Sequence, residues 1–479
     1  KAIQDSKLSE ELKLSQLDAL KSRFEHEKHV FSVRTPGYLE EVRALGRPLF
    51  LTGHHEAHAA SAYYAVDWDD CIVLTADGWG EDASSTLYEC SRGEIKRIAQ
   101  TSPMDSLGFF YGSITKALGF IPHRHEGKVL GLAAYSQNPS SYETIRKMIG
   151  VDAEKKQFRG HMENGLYLPR FENPALKEFV KNFSREDVAA AAQMSLEEVI
   201  CQCVAGLGKT KLALAGGIFA NVKLNQRIAA LPNIEQVFVF PNMGDGGLSY
   251  GAAALAHLNR TGKRPAAVDT MYLGPEYSDS EIEAELAESG FSFERKEQIA
   301  EDIADLLARG EVVARFHGRM EFGPRALGNR SLLYKASDPS VNKWLNDRLN
   351  RSEFMPFAPA TLKSYASASY IGIEKCELAA PYMTATFACT PQMLGQAPAA
   401  VHIDGTARPQ IVSAEKNPDF HRILSAYFER TGTPSLINTS FNMHEEPIVC
   451  SPLDAVRAVR DGNLKYLAIG NYLAVNPNA

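Results

Sequence analysis

Apolar residues recur along the chain in short runs that end at glycine or charged residues, and longer stretches between these runs have helical spacing. The runs CIVLTAD, KLALA and EQVFVF are typical of buried strands. After the first run, GWGED is a predicted turn, and SSTLYEC and EIKRIAQ then predict a strand meander. The predicted strands span 71–77, 84–90, 94–100, 211–215 and 235–240.

Helical spacing dominates residues 107–207, which contain SITKALGF and AAAAQMSLEEVICQCVAGL. KLALA is followed by the turn GGIFAN and a helix, and EQVFVF is followed by PNMGDGG and the helix LSYGAAALAHL. Strands alternating with helices predict an α/β fold class. The glycine loops either expose N–H groups that suit nucleotide phosphates or are only tight turns, and the sequence leaves both interpretations open.

The polar stretch NRTGKRPAAVD separates this region from a second α/β pattern, which carries EVVARFHGRMEFGPRALGNRS, DPSVNKWLNDRL, YMTATFACT, TGTPSLINTSFN and SPLDAVRAVRDG. The predicted organisation is therefore a first domain at 1–258, a linker at 259–270 and a second domain at 271–479. The opening residues predict a charged helix without a secretory signal, and Lys1 stands where an initiator Met is expected. We therefore expect the natural N-terminus to lie elsewhere.

Composition limits the possible partners. The 479 residues carry a net charge of −7, which offers no general attraction to nucleic acid. No uninterrupted apolar run approaches the roughly 20 residues that span a membrane. The seven cysteines are odd in number and form no CxxC pair, which argues against a disulfide framework and favours a reducing cytoplasm. The composition leaves a homo-oligomer possible.

Two histidines and two aspartates form the first candidate site. His54 and His58 are four residues apart, so both project from one helical face, whereas His55 and Glu56 do not easily join them. Asp77 ends a predicted strand and Asp245 lies in PNMGDGG. This donor set suits Fe²⁺, Mn²⁺ or Zn²⁺, and the alternative is a structural pair of histidines. The zincin motif is excluded because only one residue separates Glu56 from His58.

A second candidate site lies in the C-terminal pattern, where arginines stand beside glycine and proline. Guanidinium groups bind phosphate in a bidentate fork, and an Asn-Thr-Ser segment after the predicted strand SLI offers hydroxyl and amide groups. These residues predict an anhydride or acyl-phosphate pocket, whereas the alternative is a set of surface ion pairs and helix caps. The residues are Arg319, Arg325, Arg330, Arg351, Arg408, Asn438, Thr439 and Ser440.

Other readings of the chain compete with these sites. GLSYG around Ser249 matches the GxSxG pattern of serine hydrolases, but PNMGDGG separates it from the strand and places Ser249 at or inside a helix. A non-enzymatic alternative is an actin-like nucleotide-binding partner protein. The arginine-rich second domain argues against it, because a pure binding module does not need that second site.

The segments HHEAHAASAYY, TADGWGEDAS, SLGFFYGSITKALGF, LAGGIFANVKLNQRI, FPNMGDGGLSYGAA, MEFGPRALGNRSLL, MPFAPATL, HIDGTARPQ and LINTSFNMHEEPIVCSPLDA occur in this order. Together they resemble the O-carbamoyltransferase family that modifies nodulation factors and antibiotics. The resemblance implies an actin and sugar-kinase type of N-terminal domain and a C-terminal domain similar to the threonylcarbamoyl-adenylate synthases. It also implies ATP and carbamoyl phosphate as co-substrates, carbamoyl adenylate as intermediate, and a small-molecule hydroxyl as acceptor.

The resemblance also implies roles for individual residues. His54, His58, Asp77 and Asp245 match the family's divalent-metal ligands, for which iron is the usual assignment. Arg330 and Arg351 fall at catalytic positions, and both belong to the implied carbamoyl-phosphate and adenylate contacts. Those contacts are Arg325, Arg330, Arg351, Arg408, Asn438, Thr439 and Ser440. The implied nucleotide contacts are Gly216, Gly217, Asn221, Gly246 and Gly247.

The chain departs from the family pattern in two places. Leu349 and Ser352 flank Arg351 where many members have Lys and Asp. The family's first strand and hairpin, which carry an active-site histidine, do not precede the helical start, so we expect this chain to be impaired or inactive alone. Selection of the acceptor is expected to depend on the insert at about 138–205.

Overall fold

The computed structural model describes residues 3–29, 35–348 and 356–479. The chain divides into two compact units, Lys1–Ala267 and Val268–Ala479. The fold class predicted from the sequence, α/β, is confirmed in both units.

The first unit is built from helices that surround one larger sheet. Its elements are α1 (Glu10–His29), α2 (Thr35–Ala44), α3 (His54–Tyr63), β1 (Asp70–Gly80), β2 (Ala83–Ser91), β3 (Glu94–Thr101), α4 (Leu107–Ala117), α5 (Glu126–Ala133), α6 (Tyr142–Arg146), β4 (Ile149–Asp152), β5 (Gln157–Gly160), α7 (Pro174–Val180), α8 (Arg185–Ala205), β6 (Thr210–Ala215), α9 (Val222–Ala229), β7 (Ile234–Val239) and α10 (Leu248–Thr261).

The main sheet of this unit has five strands in the order β3-β2-β1-β6-β7. The first three strands form an antiparallel meander, and β1, β6 and β7 are parallel to one another. Residues 212–215 of β6 are fully buried, which explains why KLALA lacks the polar alternation of a half-exposed strand. The parallel strands bring their carboxyl ends to one edge of the sheet, where loops carry candidate ligands.

Helix α8 is the longest described helix of this unit and much of it is buried. Ser184 caps its first turn by accepting a hydrogen bond from Asp187 N–H. Among the described residues, α8 is the one helix long and apolar enough to cross a membrane by length and composition, and 67% of its most apolar window is buried inside the protein. Core helices of soluble domains meet the same criterion.

The second unit contains an eight-stranded sheet in the order β15-β11-β16-β10-β9-β17-β18-β8. Its elements are α11 (Asp279–Ser289), β8 (Ser292–Arg295), α12 (Ile299–Ala308), β9 (Val313–Phe316), β10 (Arg330–Lys335), α13 (Val341–Arg348), β11 (Ala358–Leu362), α14 (Ala366–Ser369), β12 (Tyr370–Ile371), β13 (Phe387–Cys389), α15 (Pro391–Gln396), β14 (Thr406–Ala407), β15 (Gln410–Val412), α16 (Pro418–Thr431), β16 (Ser435–Ser440), α17 (Pro452–Asp461), β17 (Tyr466–Ile469) and β18 (Tyr472–Val475).

Helices α12 and α16 cover one face of this sheet. Their apolar residues form a core with the strands, in which Leu307, Leu333 and Leu424 are fully buried. Strand β9 is parallel to β17 and antiparallel to β10. The carboxyl ends of β9 and β17 therefore meet at one edge of the sheet, beside the N-terminal turn of α12.

Two local predictions from the sequence are wrong. Residues 78–80 continue β1 instead of turning, because Gly80 pairs with Ala83 across the hairpin. Asn438, Thr439 and Ser440 lie inside β16 instead of following it, since they pair with Leu333, Leu332 and Ser331 of β10. The prediction that 107–207 is mainly helical is confirmed by α4 to α8, and the hairpin β4-β5 lies between α6 and α7.

Candidate active site

Helix α3 presents two imidazoles on one face. The ring centroids of His54 and His58 are 4.7 Å apart. The side chain of His58 is fully buried, and that of His54 is 17% exposed. The helix begins at His54, so both histidines lie in its first turns.

Two backbone N–H groups fix the carboxylate of Asp77. Its Oδ2 accepts a hydrogen bond from Gly217 N–H at 3.0 Å, and its Oδ1 accepts one from Gly78 N–H at 2.6 Å. Oδ2 also lies 3.3 Å from Nε2 of His58. The carboxylate is thus fixed by the loop after β6 and turned toward the imidazoles.

Asp245 reaches the same place from the loop after β7. Its Oδ1 lies 3.5 Å from Nε2 of His58 and 3.7 Å from Nε2 of His54, and its side chain is 72% exposed. One ligand atom from each of the four residues lies within 4.8 Å of all the others. The structure therefore brings together every residue of the sequence-predicted metal set.

Small residues let the elements approach closely enough to form this cluster. A Cβ on Gly251 of α10 would lie 1.8 Å from the carbonyl oxygen of Ala57, so α3 and α10 touch backbone to backbone. A Cβ on Gly80 would lie 2.2 Å from the ring of His54. Both glycines thereby determine where the imidazoles stand.

The histidine nitrogens that face the cluster lack hydrogen-bond partners among the described residues. Neither nitrogen of His58 and not Nε2 of His54 makes a hydrogen bond within the described part of the chain, although all three are buried. The nearby carboxylate oxygens lie at contact distance without hydrogen-bond geometry. An unsatisfied buried polar group costs about 1–3 kcal/mol. Two imidazoles and two carboxylates that converge with unmet lone pairs fit a divalent cation of the Fe²⁺, Mn²⁺ or Zn²⁺ type.

The charges within the cluster influence one another. Burial and then the neighbouring His58 ring lower the pKa of His54. Burial alone would lower the pKa of His58, but its contacts with Asp245 and Asp77 raise it. Burial alone would raise the pKa of Asp77, but His58 and two backbone N–H groups hold it well below its usual range. Asp77 is therefore an ionised donor at neutral pH.

His55 has a different role from its neighbours. Its Nδ1 lies 2.7 Å from Thr75 Oγ1 and its Nε2 lies 3.1 Å from the carbonyl oxygen of Ala83. Both ring nitrogens are thus bonded to the protein, and burial is the main cause that lowers the pKa of His55 to about 4. His55 is a neutral structural histidine, and Glu56 accepts a hydrogen bond from Thr52 at the surface.

The glycine loops near the cluster form hydrogen bonds and close contacts mainly within and between themselves. Gly216 has a φ of 104° and its N–H donates to Met243 O, which ties the two loops together. Gly247 N–H donates to Gly244 O, and a Cβ on Gly246 would meet the side chain of Asn242 at 2.7 Å. The tight-turn interpretation explains these contacts, and nucleotide binding at these glycines stays a prediction.

Asn221, the remaining predicted nucleotide contact, is a helix cap. Its Oδ1 accepts a hydrogen bond from Leu224 N–H at the start of α9, and its Nδ2 donates to Gln193 of α8. Its contact with nucleotide likewise stays a prediction. Ser249, the serine of the GxSxG match, is the second residue of α10 and donates to Gly246 O at 3.0 Å. A serine inside a helix lacks the strand-to-helix elbow of a hydrolase nucleophile.

Arg330 of the second unit is fully buried. Its guanidinium donates to the carbonyl oxygens of His317, Asn329, Pro275 and Gly318 and stacks over a phenylalanine ring at 3.6 Å. Burial lowers its pKa to about 10. Arg330 therefore holds its own loop together, and its direct contact with a phosphate stays a prediction that requires these bonds to be exchanged.

Sequence reasoning missed Glu321, which organises the same loop. Its Oε1 accepts hydrogen bonds from the N–H groups of Leu327, Asn329 and Arg330 at 2.7–3.1 Å. The residue is 5% exposed. No spacing rule indicates such a role. A carboxylate that accepts hydrogen bonds only from backbone N–H groups needs no particular residue type as its partner, so the sequence does not mark it.

Hydrogen bonds bring together the chain segments that carry the other predicted anion contacts. Asn438 donates to the carbonyl oxygen of Ala326, next to Arg325, and to Gln410, two residues after Arg408. Arg325 and Arg408 are both half-buried. Thr439 and Ser440 continue β16 beside Asn438, and Arg351, with its neighbours Leu349 and Ser352, lies outside the described residues.

Two family models match the chain. The model described as Carbamoyltransferase N-terminus matches residues 21–254, and the model described as Carbamoyltransferase C-terminus matches residues 304–476. The first match contains the histidine and aspartate cluster, and the second contains the loop of Arg325 and Arg330.

Similar proteins extend over most of the chain. An uncharacterized protein of Methanocaldococcus jannaschii is 32% identical over 448 residues, which covers 88% of this chain and 73% of that protein. Nodulation protein NolO of Bradyrhizobium diazoefficiens is 32% identical over 435 residues, covering 88% of this chain and 78% of that protein. The solved structure of HypF from T. kodakarensis matches with a TM-score of 0.32 and 16% identity, covering 48% of this chain and 39% of that one, which is too distant to support an inference. The chain belongs to the carbamoyltransferase family and is an enzyme of that class.

Proposed function

We propose that this chain is an ATP-dependent O-carbamoyltransferase that moves a carbamoyl group from carbamoyl phosphate, through carbamoyl adenylate, to a hydroxyl group of a sugar or natural product. The observation that supports this most strongly is the cluster of His54, His58, Asp77 and Asp245, in which the buried Nε2 atoms of both histidines have no hydrogen-bond partner in the described part of the chain. The arginine-rich loop of the second unit supports the adenylate-forming half of the reaction.

The proposed chemistry has balanced steps. Water releases phosphate from carbamoyl phosphate and leaves carbamate. A carbamate oxygen then attacks the α-phosphorus of ATP, which forms carbamoyl adenylate and expels pyrophosphate. An acceptor hydroxyl attacks the carbamoyl carbon, loses its proton and expels AMP. Excluding water from the second and third steps protects the adenylate from hydrolysis.

In the first unit, His54, His58, Asp77 and Asp245 would hold the divalent ion. When bound, such an ion supplies Lewis-acid polarisation of carbonyl and phosphate oxygens. The protein keeps this donor set in position through Gly217 N–H on Asp77 and through the close packing of α3 on α10. We propose iron as the resident ion, with manganese or zinc as alternatives.

In the second unit, the half-buried Arg325 and Arg408 are the proposed contacts for phosphate oxygens, with Arg351, Asn438, Thr439 and Ser440 completing the pocket. Glu321 and Arg330 hold the loop that carries Arg325 in place through hydrogen bonds to its backbone. Fixed cationic groups stabilise the charge that builds up on the phosphates as the anhydride is exchanged. The insert at 138–205 is the proposed source of acceptor selection.

His58→Ala tests the proposal, with His257→Ala as the matched control on an exposed part of α10. We expect bound metal, measured by elemental mass spectrometry, to fall from about one ion per chain to a small fraction of that. Loss of a metal ligand should lower transfer to a hydroxylated acceptor by about 100-fold or more, because changing even a residue that only supports a ligand typically costs about 10–100-fold. Pyrophosphate release that depends on carbamoyl phosphate should persist.

The assay follows the acceptor by mass spectrometry and seeks a gain of one carbamoyl group. It uses the full-length gene product, a panel of hydroxylated metabolites, and ATP with carbamoyl phosphate. Normal transfer by His58→Ala without bound metal would contradict the metal role. Pyrophosphate release that ignores carbamoyl phosphate would contradict the proposed donor.

A further inference from the structure

The second unit contains a cleft that no described residue of the predicted sites lines. It has a volume of about 340 Å³ and opens where the parallel strands β9 and β17 end. The N-terminal turns of α12 and α16 form two of its walls. Cavities at the carboxyl ends of parallel strands, beside helix N-termini, are common ligand sites in α/β proteins.

A buried arginine lines this cleft. Arg315 is 2% exposed, and its Nη1 donates to the carbonyl oxygen of Gly328 and to Asn329 Oδ1. Its Nε and Nη2 make no hydrogen bond with any described residue. Burial lowers the pKa of Arg315 to about 10, so the guanidinium remains charged at neutral pH. Because Arg315 lines the cleft, these two donors can reach an anionic ligand there, although Asp419 partly offsets the charge of the guanidinium.

The helices add partial positive charge to the same place. Helix α12 begins at Ile299, and its N-cap residue Gln298 provides no side-chain hydrogen bond. The N–H groups of Ile299 and Ala300 therefore belong to the first-turn donors that a helix leaves unsatisfied. Helix α16 also begins at the cleft, where Asn417 caps the N–H of Phe420. Helix N-termini of this kind favour anions.

The remaining charges at the cleft are largely paired. Nε2 of His317 lies 3.1 Å from Oδ2 of Asp419, and Glu301 pairs with Arg430 at 2.8 Å. Arg422 lines the cleft one turn after Asp419. Glu297 is an exposed acidic residue among the lining residues. Asp419 also lies near Arg315 and Arg422 electrostatically, so a bound anion would compete with this carboxylate for the two guanidinium groups.

We propose that this cleft binds a small oxyanion, a phosphate or carboxylate group, through Nε and Nη2 of Arg315 and the first-turn N–H groups of α12, with Arg422 at the rim. The volume lies at the lower end of small-molecule pockets, which suits a small metabolite and is too small for a large acceptor. Because Arg315 also holds Gly328 and Asn329, a bound oxyanion would stabilise the loop that carries Arg330.

Histidine-labelled NMR of the full chain tests this site with inorganic phosphate as the probe. The ring signal of His317, assigned by its loss in His317→Gln, should shift saturably on titration. Arg422→Gln and Arg315→Lys should raise the dissociation constant for phosphate by about threefold or more, because each removes part of the cationic contact. Asp419→Asn should lower the dissociation constant. Arg309→Gln, exposed at the opposite end of α12, should leave it unchanged.

Parallel titrations with sulfate and acetate distinguish the sources of the oxyanion. Saturation by phosphate and sulfate alone assigns a tetrahedral oxyanion, and saturation by acetate assigns a carboxylate. Phosphate bound at the proposed adenylate pocket would shift the His317 signal with a dissociation constant that Arg422→Gln and Asp419→Asn do not change, so these two variants distinguish the sites. A His317 signal that no probe shifts saturably overturns the proposal, as does an unchanged dissociation constant in both arginine variants.

Discussion

At the scale of single residues, the metal cluster was predictable because each ligand follows a local rule. His54 and His58 obey the four-residue spacing of a helical face, Asp77 closes the apolar run CIVLTAD, and Asp245 stands in a glycine loop. In the structure β1 continues to Gly80, but its parallel pairing with β6 ends at Thr75, just before Asp77. These rules require no knowledge of the tertiary fold. They do not reveal that the buried nitrogens lack partners, which is what makes the cluster a candidate metal site instead of a structural pair.

The residues that sequence reasoning missed share a different property. Glu321 is a buried charge that binds backbone N–H groups, and Arg315 is a buried charge that binds one backbone carbonyl and the side chain of Asn329. No sequence motif links either residue to these partners. Arg330 illustrates the same difficulty, because its position in GPRALGNRS indicates anion binding whereas its bonds show a loop-holding guanidinium. Charge type is readable from sequence, but the partner of a buried charge is not.

The bonds of Arg330 predict a large stability effect. Arg330→Ala removes the donor of four carbonyl oxygens, most of them partly buried, and removes the stacking on Phe316. We expect the free energy of unfolding of the second unit to fall by about 3–5 kcal/mol, because four hydrogen bonds from a charged donor and a large buried side chain are lost together. Urea denaturation followed by circular dichroism measures this, and pyrophosphate release should fall with it.

Arg319→Gln is the matched control in the same loop. Arg319 is exposed and donates only to Gly274 O and Leu273 O, so its replacement should cost about 1 kcal/mol or less. Equal urea midpoints for Arg330→Ala and the unaltered protein would show that the buried guanidinium is dispensable for the loop.

At the scale of elements, the meander and the two strand-loop-helix units were predictable because their periodicities are strong. The errors lie where tertiary pairing overrides local signals. Gly78 and Gly80 suggested a turn, but pairing with β2 continues β1 through them. The short strands β4 and β5 are stabilised by each other and by neighbouring helices, and four-residue strands of this kind carry little periodicity of their own.

The packing of α3 on α10 leads to a prediction for Gly251→Ala. The added methyl would lie 1.8 Å from the carbonyl oxygen of Ala57, so the helices must separate and carry His54 and His58 away from Asp77. We expect bound metal and carbamoyl transfer to drop together, with a loss of about 1–3 kcal/mol of stability from the overpacked contact. Elemental mass spectrometry and thermal unfolding measure the two effects.

Gly127→Ala is the corresponding control. Gly127 lies in α5, where an added Cβ meets nothing within 4 Å, so the alanine should be neutral or stabilising by up to about 1 kcal/mol. If Gly251→Ala keeps its metal and its stability like this control, the close helix contact does not determine the positions of the imidazoles.

At the scale of the whole molecule, the chain contains two units, each with its own sheet and core. The four metal-ligand candidates belong to the first unit, and the arginine-rich loop and the cleft of Arg315 belong to the second. Units with separate cores commonly unfold in separate transitions. Ligands that bind one unit should therefore stabilise one transition selectively, which makes calorimetry a test of where the metal resides.

Removal of the metal should lower only the transition of the first unit. At about 100 to 1,000 times the dissociation constant, a bound ion adds roughly 3–4 kcal/mol to the folded state. A chelator should cancel this stabilisation and abolish transfer, while pyrophosphate release by the second unit continues. Asp77→Asn keeps an acceptor for Gly217 N–H but weakens the ion's site, so its calorimetric midpoint should hardly respond to the chelator. An equal response in Asp77→Asn and the unaltered chain would mean that the metal binds elsewhere.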